Sequence, residues 1–367
     1  MAQPLPKRPS HQSEKAVVDA SVHIGPWTHV EYVGEGAANV VFETRQAPSN
    51  KKTAELDRTR YLLRVPKKPK DPAKRLHDAW YQYNYIRGKV FPLFDNKDDL
   101  FAKFTVAKVS QDTIVGMRNH LKAMDEAKRR PAKFVGDTVD CGRETVIMLV
   151  EDMRPRPGLR QHLIEIKPKW LIQSPSAPED ANTCRCCALA AKKFHDSNTP
   201  KGSKIKDQKY SPDDYSCPLW LDPLRVTPSD KEQIRREAIK RLFKNDKNHT
   251  DVYERLKRLP TLTMLRKNQL SADSRGPLRQ KKDDPGFSMA MTLRDCSLFI
   301  RYQEGEKGGV VEGSFEARLA DLDCKNAEWK FEEWQAKERA LVDEGWYTGR
   351  GQMKNCALYR PLSQAKR

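Results

Sequence analysis

The stretch Val33-Gly34-Glu35-Gly36-Ala37-Ala38-Asn39-Val40-Val41 lies between two runs rich in β-forming residues, 27–32 and 40–44. Small residues at such a turn let backbone N–H groups face a phosphate. No Gly-Lys-Ser/Thr follows, so the stretch is not a Walker loop, and a dinucleotide-binding fingerprint would need a helix where a second strand is predicted. The stretch therefore predicts an antiparallel hairpin, which is either a plain turn or a cover for phosphates.

The segments around the hairpin predict that it belongs to a sheet with a helix packed on it. Residues 60–65 form a further strand, and Arg64 within it needs an anion if it faces inward. Asp71-Pro72 offers an N-cap and a first-turn proline for a helix. Residues 145–150 form a short apolar strand that Glu151 ends, and residues 1–20 are predicted to be disordered. The predicted apolar face of the helix consists of Leu76, Ala79, Trp80, Tyr83, Ile86 and Val90.

The segment Glu165-Ile166-Lys167-Pro168-Lys169 carries two lysines that no hydrophobic pattern explains. On an extended chain, residues two apart share a face, and Pro168 disfavours helix. Both ammonium groups are therefore predicted to point into one space and to clamp a polyanion. The alternative is a solvated basic turn.

Two aspartates complete this chemistry. Asp295 follows the apolar run 289–293, and Asp321 follows a predicted strand at 314–319. Magnesium-assisted phosphoryl transfer needs two separated carboxylates, one near the attacking hydroxyl and one on the metal, and strand ends would supply them. Each aspartate alone would also fit a turn or a helix cap.

The composition favours a polyanionic partner. The 367 residues include 68 Lys plus Arg against 50 Asp plus Glu, which gives a formal charge of +18. A hydrophobic content of 38% is sufficient for two lobes with real cores. Nucleic acid is the usual partner for such a charge, but zinc-finger spacing and an RNA-recognition signature are absent from the sequence. A small polyphosphate explains the charge equally well.

Taken in order, these motifs resemble the inositol-pentakisphosphate 2-kinase family, which phosphorylates the 2-hydroxyl of inositol 1,3,4,5,6-pentakisphosphate to give inositol hexakisphosphate (phytate). The resemblance implies an α+β, kinase-like bilobal fold. Its small N-terminal lobe (21–152, with the hinge at its end) would carry an antiparallel sheet and a helix, and its larger mixed C-terminal lobe would span 153–367. The motifs are 34–39, Leu63-Arg64-Val65, 165–169, Cys184-Arg185, Tyr215-Ser216-Cys217-Pro218-Leu219, Arg294-Asp295-Cys296-Ser297 and Asp321-Leu322-Asp323-Cys324-Lys325.

The resemblance also implies roles for individual residues, with ATP and Mg²⁺ as cofactors. Asp295 lies beside the reacting hydroxyl and Lys167 near the transferred phosphate, which makes these two the catalytic pair. Asp321, with Asp295, holds the metal. The nucleotide is bound by Gly34, Glu35, Gly36, Ala37, Ala38, Asn39 and Arg64, and by the hinge residues Glu151 and Met153. The inositol phosphate is bound by Arg130, Lys167, Lys169, Lys193, Lys325 and Lys330.

The chain departs from the family's pattern towards the substrate. Plant and animal members carry Met-His after the Cys-Arg fragment, where Ala188-Leu189 stands here, so that Lys193 is the available phosphate ligand. The Arg and Tyr that follow the Asp-Leu-Asp block in those members are missing. Lys330 would take the place of a substrate-binding residue there if the alignment is shifted by one residue. The family's paired asparagines are not found. This pattern is typical of a divergent branch, such as a fungal one.

The eight cysteines are predicted to be reduced and mostly buried. Cys184, Cys186, Cys187 and His195 resemble a zinc set, but their spacing fits poorly with the gaps that zinc knuckles use. Plant and animal relatives bind a structural zinc in an insert before the Asp-Cys-Ser motif, and residues 218–294 hold only His249 and no Cys. No structural zinc is therefore expected. A bound ion would point back to Cys184, Cys187 and His195.

The remaining expectations concern partners and location. No apolar run approaches the ~20 residues that span a bilayer, and no signal peptide is visible. We expect a monomer that is intracellular, in the nucleus and/or the cytoplasm. Its expected substrate is inositol pentakisphosphate, with no requirement for nucleic acid or a membrane. Lys67-Lys68-Pro69-Lys70 is an import signal or a solvated loop. Segments 197–216 and 268–287 are predicted to be mobile loops. The alternative function is a basic, non-enzymatic RNA-binding or scaffold protein.

Overall fold

The computed structural model describes residues 22–23, 30–44, 61–68, 77–141, 145–198, 214–351 and 353–360. The chain divides into two compact units, the first formed by 1–87 and 102–153 and the second by 88–101 and 154–367. Residues 88–101 thus join the second unit, although the sequence range for the N-terminal lobe includes them. The expectations for 1–20, for Asp71-Pro72 and for most of 197–216 lie outside the described residues.

The first unit contains a six-stranded sheet in the order β1-β5-β6-β4-β3-β2. All neighbouring strands are antiparallel except β1 and β5, which are parallel. The predicted hairpin is confirmed: β2 pairs with β3 across the turn Gly36-Ala37-Ala38, and a bulge lies between Tyr32 and Gly34. The strands are β1 (Val22–His23), β2 (Val30–Glu35), β3 (Asn39–Thr44), β4 (Tyr61–Pro66), β5 (Phe104–Lys108) and β6 (Val146–Glu151).

Two helices accompany this sheet. Helix α1 (Ala79–Tyr85) begins at Asp78, whose carboxylate accepts a hydrogen bond from the Tyr81 N–H, and continues into a π-helical turn at Ile86–Val90. Helix α2 (Gln111–Glu126) buries an apolar face in one core with the sheet. Alternate residues of β3, β4 and β6 are apolar and lie in this core. Their burial stabilises these segments as strands.

The second unit combines a three-stranded antiparallel sheet, β7-β8-β9, with six α-helices among its described residues. The helices predicted at 229–243, 251–259 and 327–341 are confirmed, whereas the predicted loop 268–287 is helical at both ends. The elements are β7 (Gln161–Ile166), α3 (Arg185–Ser197), α4 (Glu232–Leu242), α5 (His249–Arg258), α6 (Pro260–Ala272), α7 (Pro285–Asp295), β8 (Ser297–Gln303), β9 (Glu316–Ala320) and α8 (Ala327–Asp343).

Helices α7 and α8 pack through aromatic rings. Phe287 on α7 makes edge contacts with Phe331 and Trp334 on α8. Helix α8 ends before Gly345, whose φ of 73° is a conformation that glycine adopts without strain. Both units are mixed α and β with antiparallel sheets, so the α+β prediction is confirmed. No helix in the described parts of the chain is long and apolar enough to cross a membrane.

Candidate active site

The edge of the three-stranded sheet in the second unit brings the predicted catalytic residues together. Lys167 directly follows β7, Ser297 begins β8, and Asp321 directly follows β9. Since Ile166 pairs with Leu298 and Ser297 pairs with Ala320, these three positions share one edge. Asp295 is the last residue of α7, so the expectation that it follows a strand is wrong. The reason is that α7, which Asp284 caps and Pro285 begins, carries the apolar run 289–293 as a buried helix.

Lys167 lies at the centre of a chain of hydrogen bonds. Its Nζ donates to the Ser297 hydroxyl at 2.8 Å, to the Asp295 backbone carbonyl at 3.1 Å and to Asp321 Oδ2 at 3.4 Å. The Ser297 Oγ lies 2.9 Å from Asp321 Oδ2 and 3.0 Å from Glu165 Oε1, and its single proton serves one of them at a time. Glu165 and Ser297 were not among the predicted site residues, although both lie inside the quoted motifs.

Asp295 is held by ammonium groups on both of its carboxylate oxygens. Lys325 Nζ is 2.6 Å from Oδ2, and Lys169 Nζ is 3.2 Å from Oδ1. Partial burial by itself raises the pKa of Asp295, but Lys325, followed by Lys169 and Lys167, outweighs it and lowers the pKa to about 2. The side chain remains 48% exposed, so the carboxylate is ionised and accessible to a ligand.

Lys169 reaches Asp295 through a different geometry than expected. Its φ of 55° is left-handed, so Lys167 and Lys169 are not two positions of one extended strand. Gln269, which is fully buried on α6, fixes the turn: its Nε2 donates to the Lys169 carbonyl at 2.7 Å and to the Leu293 carbonyl at 3.1 Å. One side-chain amide thus fixes the backbone conformation just before both Asp295 and Trp170. Sequence reasoning missed this role because Gln269 lies in a polar stretch.

The carboxylate of Asp295 should make stability depend on pH at the acidic end. Its folded pKa is about 2, whereas an unfolded aspartate titrates near 3.9. As the pH falls the unfolded chain takes up its proton first, so the stabilisation is present above about pH 4 and is lost towards about pH 2. We expect the difference in free energy of unfolding between wild type and Asp295→Asn, from urea titrations, to be constant at higher pH and to shrink across that window. A difference independent of pH would contradict the ion pairing.

A cavity of about 890 Å³ lies beside Asp295 in the second unit, within the size range of small-molecule sites. Its lining contains seven Lys and Arg side chains but only two carboxylates, Asp196 and Asp295. Of the predicted substrate residues, it collects Lys169, Lys193, Lys325 and Lys330. Further cations, which were not predicted to bind substrate, are Arg185, Arg294 and Lys337. Lys337 lies seven residues after Lys330 on α8, so helical spacing could have found it.

The electrostatics of the cavity indicate an anionic ligand. Burial lowers the pKa of Lys193, and the positive charges of Lys337, Lys169 and Arg185 lower it further. Arg294 is wholly buried, with one nitrogen 2.7 Å from Asp273. Among the described residues its Nε and Nη2 have no hydrogen-bond partner. Cations that repel one another across a cavity are stabilised when a polyanion enters it.

The hairpin turn of the first unit leaves open space above its glycines. A Cβ added to Gly34 or Gly36 would meet no atom within 4 Å, and neither glycine has a positive φ. The Gly36 N–H donates to the Asn39 carbonyl at 2.9 Å, so this amide closes the turn. The packing of the hairpin therefore does not require these two glycines.

Glu35 and Arg130, predicted to bind nucleotide and substrate, are buried together. The fully buried Glu35 carboxylate accepts from Arg130 Nη2 at 2.8 Å and lies 2.6 Å from Lys67 Nζ. Burial opposes its ionisation, but Arg130 and Lys67 lower the pKa of Glu35. Arg130 also binds Asp125 at 3.0 Å, so its guanidinium contacts protein carboxylates here, and its substrate role stays a prediction. Lys67 is 3% exposed, so the interpretation of 67–70 as a solvated loop is wrong for this lysine.

Of the other predicted nucleotide residues, Arg64 and Glu151 lie on the same sheet. Arg64 is on β4, paired in register with Val41 and Met148, and its Nη1 is 3.8 Å from the Met148 sulfur. Glu151 ends β6, where its carboxylate accepts the Lys103 N–H at 3.0 Å. Met153 follows β6, is buried and is the last residue of the first unit, and its hinge role stays a prediction.

Four buried cysteines form a cluster that the sequence spacing did not indicate. Cys184, Cys187, Cys217 and Cys356 bring their sulfurs within 4.8 Å of one another. His195, the third ligand suggested by the sequence, is not in this cluster, and its ring contacts Trp346 at a centroid distance of 5.3 Å. Two of the four thiols come from segments far along the chain, so their convergence depends on the fold.

Two comparisons with known proteins bear on the family of this chain. The family model for inositol-pentakisphosphate 2-kinase matches residues 32–261 and 254–340. An inositol-pentakisphosphate 2-kinase of Yarrowia lipolytica is 28% identical over 242 residues, which is 60% of this chain and 71% of the relative. The family match covers well over half of the chain and includes the hairpin, the lysine pair and both aspartates. The resemblance predicted from the motifs is confirmed, and the chain belongs to the inositol-pentakisphosphate 2-kinase family.

Proposed function

We propose that this protein transfers the γ-phosphoryl group of ATP to the 2-hydroxyl of inositol 1,3,4,5,6-pentakisphosphate. Family membership supports the reaction class. The observation that carries the proposal is the half-exposed Asp295 carboxylate, which is held by the ammonium groups of Lys169 and Lys325 in the lining of a strongly basic cavity. A basic RNA-binding or scaffold protein needs no such convergence of charge on one small concave site.

The residues at the sheet edge fit Mg²⁺. Asp295 and Asp321 are 48% and 44% exposed, and carboxylate oxygens are the ligands that this hard cation prefers. A bound ion would neutralise charge on the nucleotide phosphates. Lys167 donates hydrogen bonds to both residues and would hold the metal-binding Asp321 in a fixed position relative to Asp295, which lies beside the reacting hydroxyl.

The lysines have a second role in the reaction. With phosphates bound, Lys169 and Lys325 exchange their ion pairs with Asp295 for contacts to phosphate oxygens. The pKa of Asp295 then rises from about 2, so its carboxylate becomes a better acceptor for the proton of the 2-hydroxyl. Lys167, held by Ser297, stays at the transferred group. Binding energy from the substrate phosphates is thereby coupled to activation of the nucleophile.

The cavity cations would favour a highly phosphorylated ring. Lys193, Lys330 and Lys337 line it beyond Asp295, and binding of a polyanion raises the lowered pKa of Lys193. An inositol with few phosphates would leave several of these charges unpaired inside the cavity. We therefore expect lower inositol phosphates to be poorer substrates.

The test is incubation of the purified protein with Mg²⁺, ATP and inositol pentakisphosphate, followed by chromatographic resolution of the hexakisphosphate. Product that requires all three components supports the proposal. Absence of product, combined with RNA binding whose log affinity falls linearly with log salt concentration, would support the alternative.

The glycines of the hairpin provide a prediction about ATP. Gly34→Ala and Gly36→Ala meet open space, so we expect unchanged or slightly higher melting temperatures. If the turn covers the nucleotide phosphates, the added methyl groups should raise the KM for ATP several-fold. Gly116→Ala, on the exposed face of α2 and equally free of contacts, is the matched control and should leave that KM unchanged. Normal KM values for ATP in both hairpin variants would remove this turn from the nucleotide site.

A further inference from the structure

The four clustered thiols have the spacing of metal ligands. The Sγ atoms of Cys184 and Cys217 are 3.6 Å apart, and those of Cys217 and Cys356 are 4.0 Å apart. A disulfide would bring two sulfurs to about 2.05 Å. Thiolates arranged tetrahedrally around zinc, with Zn–S bonds of about 2.3 Å, lie about 3.8 Å from one another. The observed distances match the second geometry.

Backbone amides around the cluster point at its sulfurs. The N–H of Cys184 donates to the Cys356 sulfur at 3.2 Å, and that of Cys187 to the Cys184 sulfur at 3.4 Å. Ala357 N–H donates to Cys217 at 3.5 Å, and Leu358 N–H to Cys356 at 3.4 Å. A neutral thiol is a weak acceptor, whereas a thiolate accepts strongly. Amide donors directed at several sulfurs in one buried place are the environment that thiolates require.

We propose that Cys184, Cys187, Cys217 and Cys356 bind one Zn²⁺ ion in a closed, structural four-thiolate site. Four protein sulfurs fill a tetrahedral shell and leave no position for water, which is the mark of a structural rather than a catalytic zinc. The burial of all four residues agrees with this. The proposal replaces the expectation of a zinc-free protein. It does not restore the zinc insert of plant and animal relatives, because residues 218–294 contain no cysteine.

The ion would fasten one wall of the basic cavity. Cys184 and Cys187 lie at the start of α3, whose residues Arg185 and Lys193 line that cavity. Cys217 lies two residues after Tyr215, which also lines it, and Cys356 comes from the C-terminal segment. Zinc would thus tie three distant segments together behind the substrate site. This consequence for catalysis rests on the proposed function, whereas metal binding itself does not.

Elemental analysis of the purified full-length protein, washed with EDTA under native conditions, tests the site directly. We expect one zinc per chain in the wild type. We also expect titration of the protein thiols with a mercurial reagent to release that zinc. A folded wild-type protein with less than about a tenth of an equivalent of zinc, or with iron in its place, would overturn the proposal.

Variants assign the ligands. Cys217→Ser and Cys356→Ser should each lose most of the bound zinc, whereas Cys186→Ser, a buried neighbour whose sulfur is outside the cluster, should retain one equivalent. If the ligand variants fail to fold, Co²⁺ substitution of the wild type decides, because four thiolates give intense charge-transfer and tetrahedral d–d bands. Octahedral cobalt spectra would contradict the assignment. None of these readouts depends on inositol phosphate, so they are independent of the proposed activity.

Discussion

Asp295→Asn should reduce phosphoryl transfer by about two to four orders of magnitude, the range associated with loss of a positioned acid–base group. The amide keeps the shape of the side chain but cannot accept the hydroxyl proton, and it loses the ion pairs to Lys325 and Lys169. The loss should appear in kcat, with the affinity for nucleotide largely retained. Single-turnover rates with inositol pentakisphosphate, together with nucleotide binding by calorimetry, measure the two effects separately.

Two comparison variants sharpen this result. Asp321→Asn should weaken the dependence on magnesium, so excess Mg²⁺ should recover part of its activity. Asp196→Asn is the comparison variant, because this carboxylate also lines the cavity and pairs with Lys192. It should change turnover only slightly. Rescue of Asp295→Asn by magnesium, with no rescue of Asp321→Asn, would mean that the two roles are reversed.

Lys167→Ala should lower turnover by roughly one to two orders of magnitude. Removal of a charge-assisted contact to phosphate commonly costs about 1.5 to 3 kcal/mol. Lys167 additionally bridges Ser297 and Asp321, so its loss should affect kcat more than the KM for the inositol phosphate. Lys169→Ala should also lower turnover, because it removes one partner of Asp295 as well as a cavity charge.

The control for the lysines is Lys257→Ala on α5. The Lys257 ammonium pairs with Glu254 and lies over the Tyr253 ring, and Lys257 is not among the residues that line the cavity. It removes the same charge from the protein as a whole and should leave activity close to normal. Melting temperatures of all three variants establish that the fold is intact. Near-normal activity of both Lys167→Ala and Lys169→Ala would exclude the lysine pair from catalysis.

Local pattern was sufficient to predict much of the fold. The alternating residues on either side of 34–39 predicted the β2–β3 hairpin, and the apolar run at 145–150 predicted β6. The three-and-four spacing at 327–341 predicted α8. The hairpin and α8 place apolar residues at a regular spacing, so periodicity identifies them, and the β-branched residues in 145–150 favour a strand there. The run 289–293 lacked such a distinction, because a short apolar segment suits a buried helix as well as a strand.

The sequence by itself predicted which residues carry the proposed chemistry. Lys167, Lys169, Asp295 and Asp321 were singled out because their residue types in short motifs match phosphoryl transfer and the family that performs it. The tertiary structure supplied their arrangement. An antiparallel register brings the ends of β7 and β9 to the start of β8, and a left-handed turn at Lys169 directs its ammonium to Asp295.

Only the tertiary structure decided which polar residues are buried and with whom. Gln269 lies in a segment whose composition predicts a mobile loop, yet it is fully buried and fixes the turn at Lys169. Glu35 and Arg130 pair across 95 residues, and Cys356 joins Cys184 across 172. A buried charge or thiolate is stable only when a partner compensates its lost hydration. That partner is chosen by proximity in space, which local sequence does not encode.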